Sequence, residues 1–177
     1  MRGKLLKTFA AVAAVLVLGG IAGCGPFWVN PYITVTESHL NWVHIHYYNL
    51  NRKPIRRVSV YLTGMGYVEV KKGTSELVSN DFAKGHENDT WTAIKTYRTE
   101  VDPAHVNEIF QNLVNYGLLD REKTGKRSKK DKFDRFIAVK ANVSNHTYSE
   151  QENIFEVDPE LAEQLLDVVR EFDDPTK

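Results

Sequence analysis

Two histidines spaced two residues apart are the side chains of this sequence with the clearest chemical potential. The segment 41–49 alternates strictly, and one set of alternate positions holds Trp42, His44, His46 and Tyr48. A period of two is typical of a β-strand, so we expect these four side chains to share one face. The two imidazoles would lie roughly 7 Å apart at Cα, close enough to bind one metal ion if both rings converge.

A metal-dependent hydrolase would need more ligands than this pair. Catalytic zinc takes three protein ligands and keeps one open position, and only Glu37 or His39, just upstream, offers a third. Histidines that alternate with aromatic residues on the wet face of a sheet more often mark a binding surface or cross-strand packing. We therefore interpret the four residues as a candidate binding surface, assign no metal ligand, and keep the hydrolase as an alternative.

Motifs for nucleophilic catalysis and for phosphate binding are missing from the sequence. There is no G-x-S-x-G elbow, no G-x-x-x-x-G-K-[ST] loop, and no serine in a setting that singles it out. The only cysteine, Cys24, lies at the end of the leader. The sequence therefore indicates no catalytic residue and no cofactor.

The strongest local charge feature is the segment 121–132. Seven basic residues stand there against Glu122 and Asp131: Arg121, Lys123, Lys126, Arg127, Lys129, Lys130 and Lys132. Such a run could bind an anionic envelope polymer, although a solvated loop is the commoner use of this composition. No aromatic residue interrupts the run, so the stacking groups of a single-stranded nucleic-acid surface are absent.

The first 23 residues follow the order of regions in a secretory signal peptide. Three basic residues precede an apolar block from Phe9 to Leu18, and a segment of small residues then ends at Cys24. The apolar block is about half of the ~20 residues that span a bilayer. A permanent transmembrane helix is therefore the weaker interpretation.

The residues Ile21-Ala22-Gly23-Cys24 resemble the lipobox of bacterial lipoproteins. The resemblance implies that residues 1–23 are removed and that Cys24 carries a diacylglycerol and an acylated amine, which together hold a protein firmly on a membrane. The alternative is an ordinary cleaved signal with an incidental Cys24. Gly25 stands where many inner-membrane lipoproteins have aspartate, which implies the periplasmic side of the outer membrane if the organism has one.

The part that follows the leader is mildly acidic. Three of the 23 basic residues and none of the 23 acidic residues precede Cys24, which leaves 20 basic against 23 acidic residues. A general attraction to nucleic acid is therefore not indicated. We expect residues 24–40 to form the lipidated N-terminus and a tether, whose aromatic residues either lie at the lipid headgroups or dock onto the domain. Fully extended, that tether would reach about 50 Å.

The remaining residues, 41–174, predict a single α+β domain. The predicted strands are 41–49, 57–63, 67–71, 76–79, 90–99, 133–143 and 153–157, with a hairpin at Gly64-Met65-Gly66 and a turn at 145–148. The strand 90–99 has unsorted faces, so it is either buried on both sides or at an edge. Asp102-Pro103 and Asp158-Pro159 each predict the start of an amphipathic helix.

These elements predict a mostly antiparallel, curved sheet of about five to seven strands with two amphipathic helices packed on one face. The layout is similar to that of small uncharacterised bacterial lipoprotein domains, although no diagnostic motif carries this similarity. The function that we expect is a lipid-anchored, non-enzymatic envelope domain that binds an envelope protein or polymer. The alternatives are the histidine-dependent hydrolase and a basic loop that binds anionic polymer.

Overall fold

One antiparallel sheet organises this computed structural model, which describes residues 33–75, 91–120, 134–150 and 152–173. Its strands are β1 (Trp42–Asn49), β2 (Ile55–Thr63), β3 (Tyr67–Ser75), β4 (Trp91–Glu100), β5 (Arg135–Val143) and β6 (His146–Glu150), in the order β4-β3-β2-β1-β5-β6. The helices are α1 (Pro103–Asn115), α2 (Ile154–Val157) and α3 (Pro159–Asp173). The chain is therefore an α+β protein. Within those residues, no helix is long and apolar enough to span a bilayer.

The predicted hairpin between β2 and β3 is confirmed, and a glycine is required in its turn. Gly66 has a φ of +87°, and a Cβ there would lie 2.1 Å from the carbonyl oxygen of Val101. Val101 N in turn donates to the carbonyl of Gly66 at 2.9 Å. The close approach of these two backbones brings the start of α1 to the β2–β3 turn.

The main core is one cluster of buried residues to which both the sheet and the helices contribute. Alternate strand residues point into it: Val43, Ile45, Val58, Val60, Leu62, Val68, Val70, Ile137, Val139, Ala141 and Val143. The same cluster contains the buried residues of the longer helices: Val106, Ile109, Phe110, Leu113 and Val114 of α1, and Leu161, Ala162, Leu165, Leu166, Val168 and Val169 of α3. Residues at alternate strand positions and residues at helical spacing thus share one apolar core.

Both predicted helix starts are confirmed by their caps. Asp102 Oδ1 accepts a hydrogen bond from Ala104 N at 2.9 Å, and Asp158 Oδ1 accepts one from Leu161 N at 3.2 Å. At its other end, α3 is held to the sheet because Asp173 forms ion pairs with Arg56 and Lys72. A local cap therefore fixes the start of each long helix, and tertiary ion pairs fix the end of α3.

The stretch after β5 differs from the sequence prediction. Residues 146–150 form strand β6 instead of a turn, because Ser144 and Asn145 alone make the turn with φ of 51° and 63°. The predicted strand 153–157 is the short helix α2, whose cap Asn153 accepts from Phe155 N at 3.4 Å. Asn153 Oδ1 also accepts from Ile137 N at 3.1 Å, so this tertiary contact favours the helix.

Strand β4 is an edge strand, so of the two predicted positions, buried on both sides or at an edge, the second is found. Its residues from Ala93 to Glu100 are all exposed, and it pairs with β3 alone in the part of the chain that the structure describes. Strand β3 runs to Ser75, further than predicted, and shifts register against β4 between Lys72 and Thr74. The predicted strand 76–79 lies outside the described residues.

The chain before β1 packs on the domain. Ile33 and Val35 lie against the main core. Asn41 is buried; its Nδ2 donates to the carbonyl of Thr36 at 2.8 Å, and its Oδ1 accepts from Ser144 N at 2.9 Å. Residues 33–40, which the sequence assigns to the tether, are therefore part of the folded structure.

Candidate functional site

The predicted histidine face is formed by β1 and its neighbours on the side of the sheet opposite the main core. Trp42, His44 and His46 alternate with the buried Val43 and Ile45, so their side chains point away from that core. All three are half-buried. The structure thus places three of the four candidate binding residues together on one surface.

The rings of this surface are in mutual contact, and a tyrosine from β2 joins them. The centroids of His44 and His46 lie 4.1 Å apart, and Tyr61 meets His44 edge-on at 5.5 Å. Tyr61 also lies 6.2 Å from Trp42. We call Trp42, His44, His46 and Tyr61 the ring cluster. The register of β1 against β2, which pairs Tyr61 with His44, brings this tyrosine into the cluster.

Tyr48 shares this face but is not part of its accessible surface. Its side chain is fully buried and packs edge-on against Phe136 at 5.7 Å, in a second small apolar cluster that includes Ala138. These residues of β5 lie beside β1 in register, which sequence alternation alone does not reveal. The candidate binding surface is therefore the ring cluster without Tyr48.

His44 shares a hydrogen bond with a serine of the neighbouring strand. Its Nε2 lies 2.7 Å from Ser59 Oγ. The pKa of His44 is lowered from 6.5 to about 4, mainly by burial and also by the nearby charges of Lys71, Arg57 and Lys140, against the opposing effect of Glu69. His44 is therefore neutral at physiological pH.

His46 is oriented by a buried arginine. Arg57 Nη2 lies 3.4 Å from His46 Nδ1, and because a guanidinium only donates, this nitrogen is the acceptor. The Arg57 guanidinium also lies 4.0 Å from the centroid of Trp91 and 5.2 Å from that of Tyr48. Arg57 thus links the ring cluster to the second apolar cluster.

A carboxylate hub borders the ring cluster on β3. Glu69 pairs with Lys71 at 2.8 Å and with Arg98 at 2.9 Å, and Tyr67 donates a hydroxyl hydrogen bond to it at 3.3 Å. Its hydrogen bond with Lys71, followed by that with Arg98, lowers the pKa of the Glu69 carboxyl. Glu69 is therefore ionised and holds two cations beside Tyr61, its register partner on β2.

The geometry around the histidines disfavours a metal ion. His44 Nε2 and His46 Nδ1 each already have a hydrogen-bond partner, and three cations surround His44. Such a field repels a divalent cation. Glu37 and His39 are exposed on the segment before β1, and the described residues contain no group of three or more potential ligands.

The contact between Ser59 and His44 was not expected from the sequence, and it does not resemble an activated nucleophile. Ser59 is buried, so a substrate has little access to its hydroxyl. A histidine with a pKa of about 4 is also a weak base at neutral pH. The pair is better explained as a polar contact that satisfies two partly desolvated groups.

Two further predictions, the lipid attachment at Cys24 and the basic run 121–132, lie outside the described residues. Both stay predictions. No protein-family model matches this chain, and no curated protein matches it at a significant level. Function must therefore be argued from the residues themselves.

Proposed function

We propose that this protein is a lipid-anchored domain of the bacterial cell envelope that binds an envelope protein or polymer through the ring cluster and catalyses no reaction. The observation that supports this most is the contact between four half-buried rings on the sheet face turned away from the main core. Aromatic side chains supply much of the binding energy of recognition surfaces because they bury large area with few rotatable bonds.

The difference between the two faces of the sheet supports the proposal. The buried residues of α1 and α3 belong to the same core as Val43 and Ile45. We infer that both helices pack on that one face of the curved sheet and leave the ring cluster accessible to a partner. The charged side chains acting on His44 are three cations and one carboxylate, a balance that favours a neutral or anionic partner.

The membrane anchor in this proposal rests on the leader and on the lipobox resemblance at Cys24. A lipidated Cys24 would keep the domain on the extracytoplasmic side of its membrane, which is the outer membrane in an organism that has one. Incorporation of labelled palmitate into the wild-type protein, and none into Cys24→Ser, is the expected result. Equal labelling of the two proteins would contradict the anchor.

Binding through the ring cluster is tested by capture of partners from envelope extracts. The bait is the full-length protein, and the test variant carries Trp42→Ala and Tyr61→Ala. We expect recovery of the partners to fall severalfold, because the variant loses the two largest rings of the cluster. The partners are then identified and rebound in purified form.

The matched control is Tyr97→Ala. Tyr97 is an exposed aromatic residue on the edge strand β4, away from the ring cluster. Its loss should leave recovery unchanged. Equal recovery with all three baits, with the variants shown to be folded, would mean that the ring cluster is not the binding surface.

A further inference from the structure

The chain enters the folded structure beside helix α1, at one end of the sheet. Val35 N donates to Gln111 Oε1 at 2.8 Å, and Gln111 Nε2 donates to the carbonyl of Ile33 at 3.2 Å. Gln111 thus fastens the backbone of this segment at two points. The chain is therefore attached to the domain from Ile33 onward.

The connection between Cys24 and Ile33 is short. Eight residues lie between them in the sequence, which makes nine steps from one Cα atom to the next. Even fully extended, nine steps cover only about 30 Å, which is less than the length first expected for the tether. A lipid on Cys24 would therefore hold the point where the chain enters the domain near the headgroups.

Exposed apolar side chains are found at that same end of the sheet. Leu40, just before β1, is 52% exposed, and Met65, in the β2–β3 turn, is 61% exposed. The two lie at one end because Gly64 N donates to the carbonyl of Asn41 at 2.8 Å. Tyr116, also exposed, follows Asn115, to which Gln111 Nε2 donates at 2.9 Å.

The opposite end of the sheet has a different surface. The turn between β1 and β2 carries the exposed Arg52 and Lys53. Ile94, the other strongly exposed aliphatic residue, lies toward this end on β4, since its neighbour Lys95 pairs with Lys72 while Glu100 pairs with Tyr67 near the β2–β3 turn. The apolar side chains next to the chain entry are thus separate from those on the edge strand.

We propose that the end of the domain formed by Leu40, Met65 and Tyr116 lies against the bilayer that holds the anchor. This proposal rests on the lipid anchor of the proposed function. Aliphatic side chains gain free energy when they leave water, and a tyrosine is well suited to the headgroup region. The contact would orient the sheet with its β2–β3 turn toward the membrane and its β1–β2 turn away from it.

The test places a fluorophore at one end of the domain or at the other and measures how close it lies to the lipid headgroups. Cys24 is the only cysteine, so in the lipidated protein a maleimide fluorophore reacts only at an introduced Met65→Cys or Ile94→Cys. Each full-length lipoprotein is reconstituted into vesicles of phosphatidylethanolamine and phosphatidylglycerol that contain a lipid with a spin label near its headgroup. We expect quenching at position 65 to exceed that at position 94 severalfold.

The outcomes separate this proposal from the anchor itself. Equal quenching at the two positions, or stronger quenching at position 94, in protein that floats with the vesicles would overturn the membrane contact and leave the anchor intact. Protein that does not float, together with maleimide labelling of the wild-type chain, would show that Cys24 is a free thiol. In that case both proposals fail.

Discussion

The two faces of the sheet are built from the same strands but have opposite compositions. On β1, Val43 and Ile45 are fully buried in the main core, whereas their neighbours His44 and His46 belong to the half-buried ring cluster. Because side chains alternate along a strand, one residue in two packs in the main core and the next lies on the opposite face. The face with Val43 and Ile45 belongs to the larger buried cluster, and the histidine side carries the proposed function.

The histidine side is itself divided along the direction of the strands. Near the start of β1, Trp42 and His44 meet Tyr61. Near its end, Tyr48 is buried with Phe136 and is crossed by the guanidinium of Arg57. A face that looks uniform in the sequence is therefore divided into the half-buried ring cluster and a small buried core.

The largest expected effect is in the main core. Leu62 is fully buried in the main core, so Leu62→Ala should lower the free energy of unfolding by about 2–5 kcal/mol through lost burial and a residual cavity. Chemical denaturation followed by circular dichroism measures this loss. A loss below about 1 kcal/mol would mean that this side of the sheet is far less tightly packed than the structure indicates.

The second effect is a pH dependence of stability that comes from the histidine side of the sheet. Because the pKa of His44 is about 4 in the folded state and 6.5 when unfolded, the unfolded chain binds the additional proton as the pH falls between these values. The contribution of His44 to stability is complete above pH 6.5 and declines toward pH 4, by about 2–3 kcal/mol for this half-buried ring. We expect His44→Gln to remove that decline.

Denaturation at neutral pH and near pH 4 measures the difference between wild type and His44→Gln. Glu69, whose pKa is lowered by Lys71 and Arg98, also loses its contribution in acid, but it does so in both proteins. His39→Gln, at an exposed position before β1, is the control and should behave as wild type. The same acid sensitivity in His44→Gln and wild type would contradict the desolvation of His44.

How far the fold could be predicted from the sequence depended on whether each signal was local. The strand β1, the glycine turn after β2 and the capped starts of α1 and α3 each depend on a few adjacent residues, and all are confirmed. Helix α2 also had a local signal, since Asn153 and Glu156 have the spacing of a capping box. The predicted strand 153–157 is therefore wrong at a position where a local helix signal exists.

The candidate site was only partly predictable for a different reason. Alternation placed Trp42, His44 and His46 on one face, but the contact of His44 with Ser59 depends on the register of β1 against β2. The burial of Tyr48 depends in the same way on β5, which lies almost 90 residues later in the chain. Without pairing information, neither contact can be deduced from the spacing of residues.

The smallest expected effect gives the sharpest comparison, because Tyr61 and Leu62 are neighbours on β2 that point to opposite faces. Tyr61 is half-buried and makes ring contacts with His44 and Trp42, so Tyr61→Ala should lower the free energy of unfolding by about 1 kcal/mol. Measured beside Leu62→Ala, it should cost severalfold less stability while it weakens partner recovery. A loss for Tyr61→Ala as large as that for Leu62→Ala would show that the ring cluster is a second core, and the ring contacts would then need no partner to explain them.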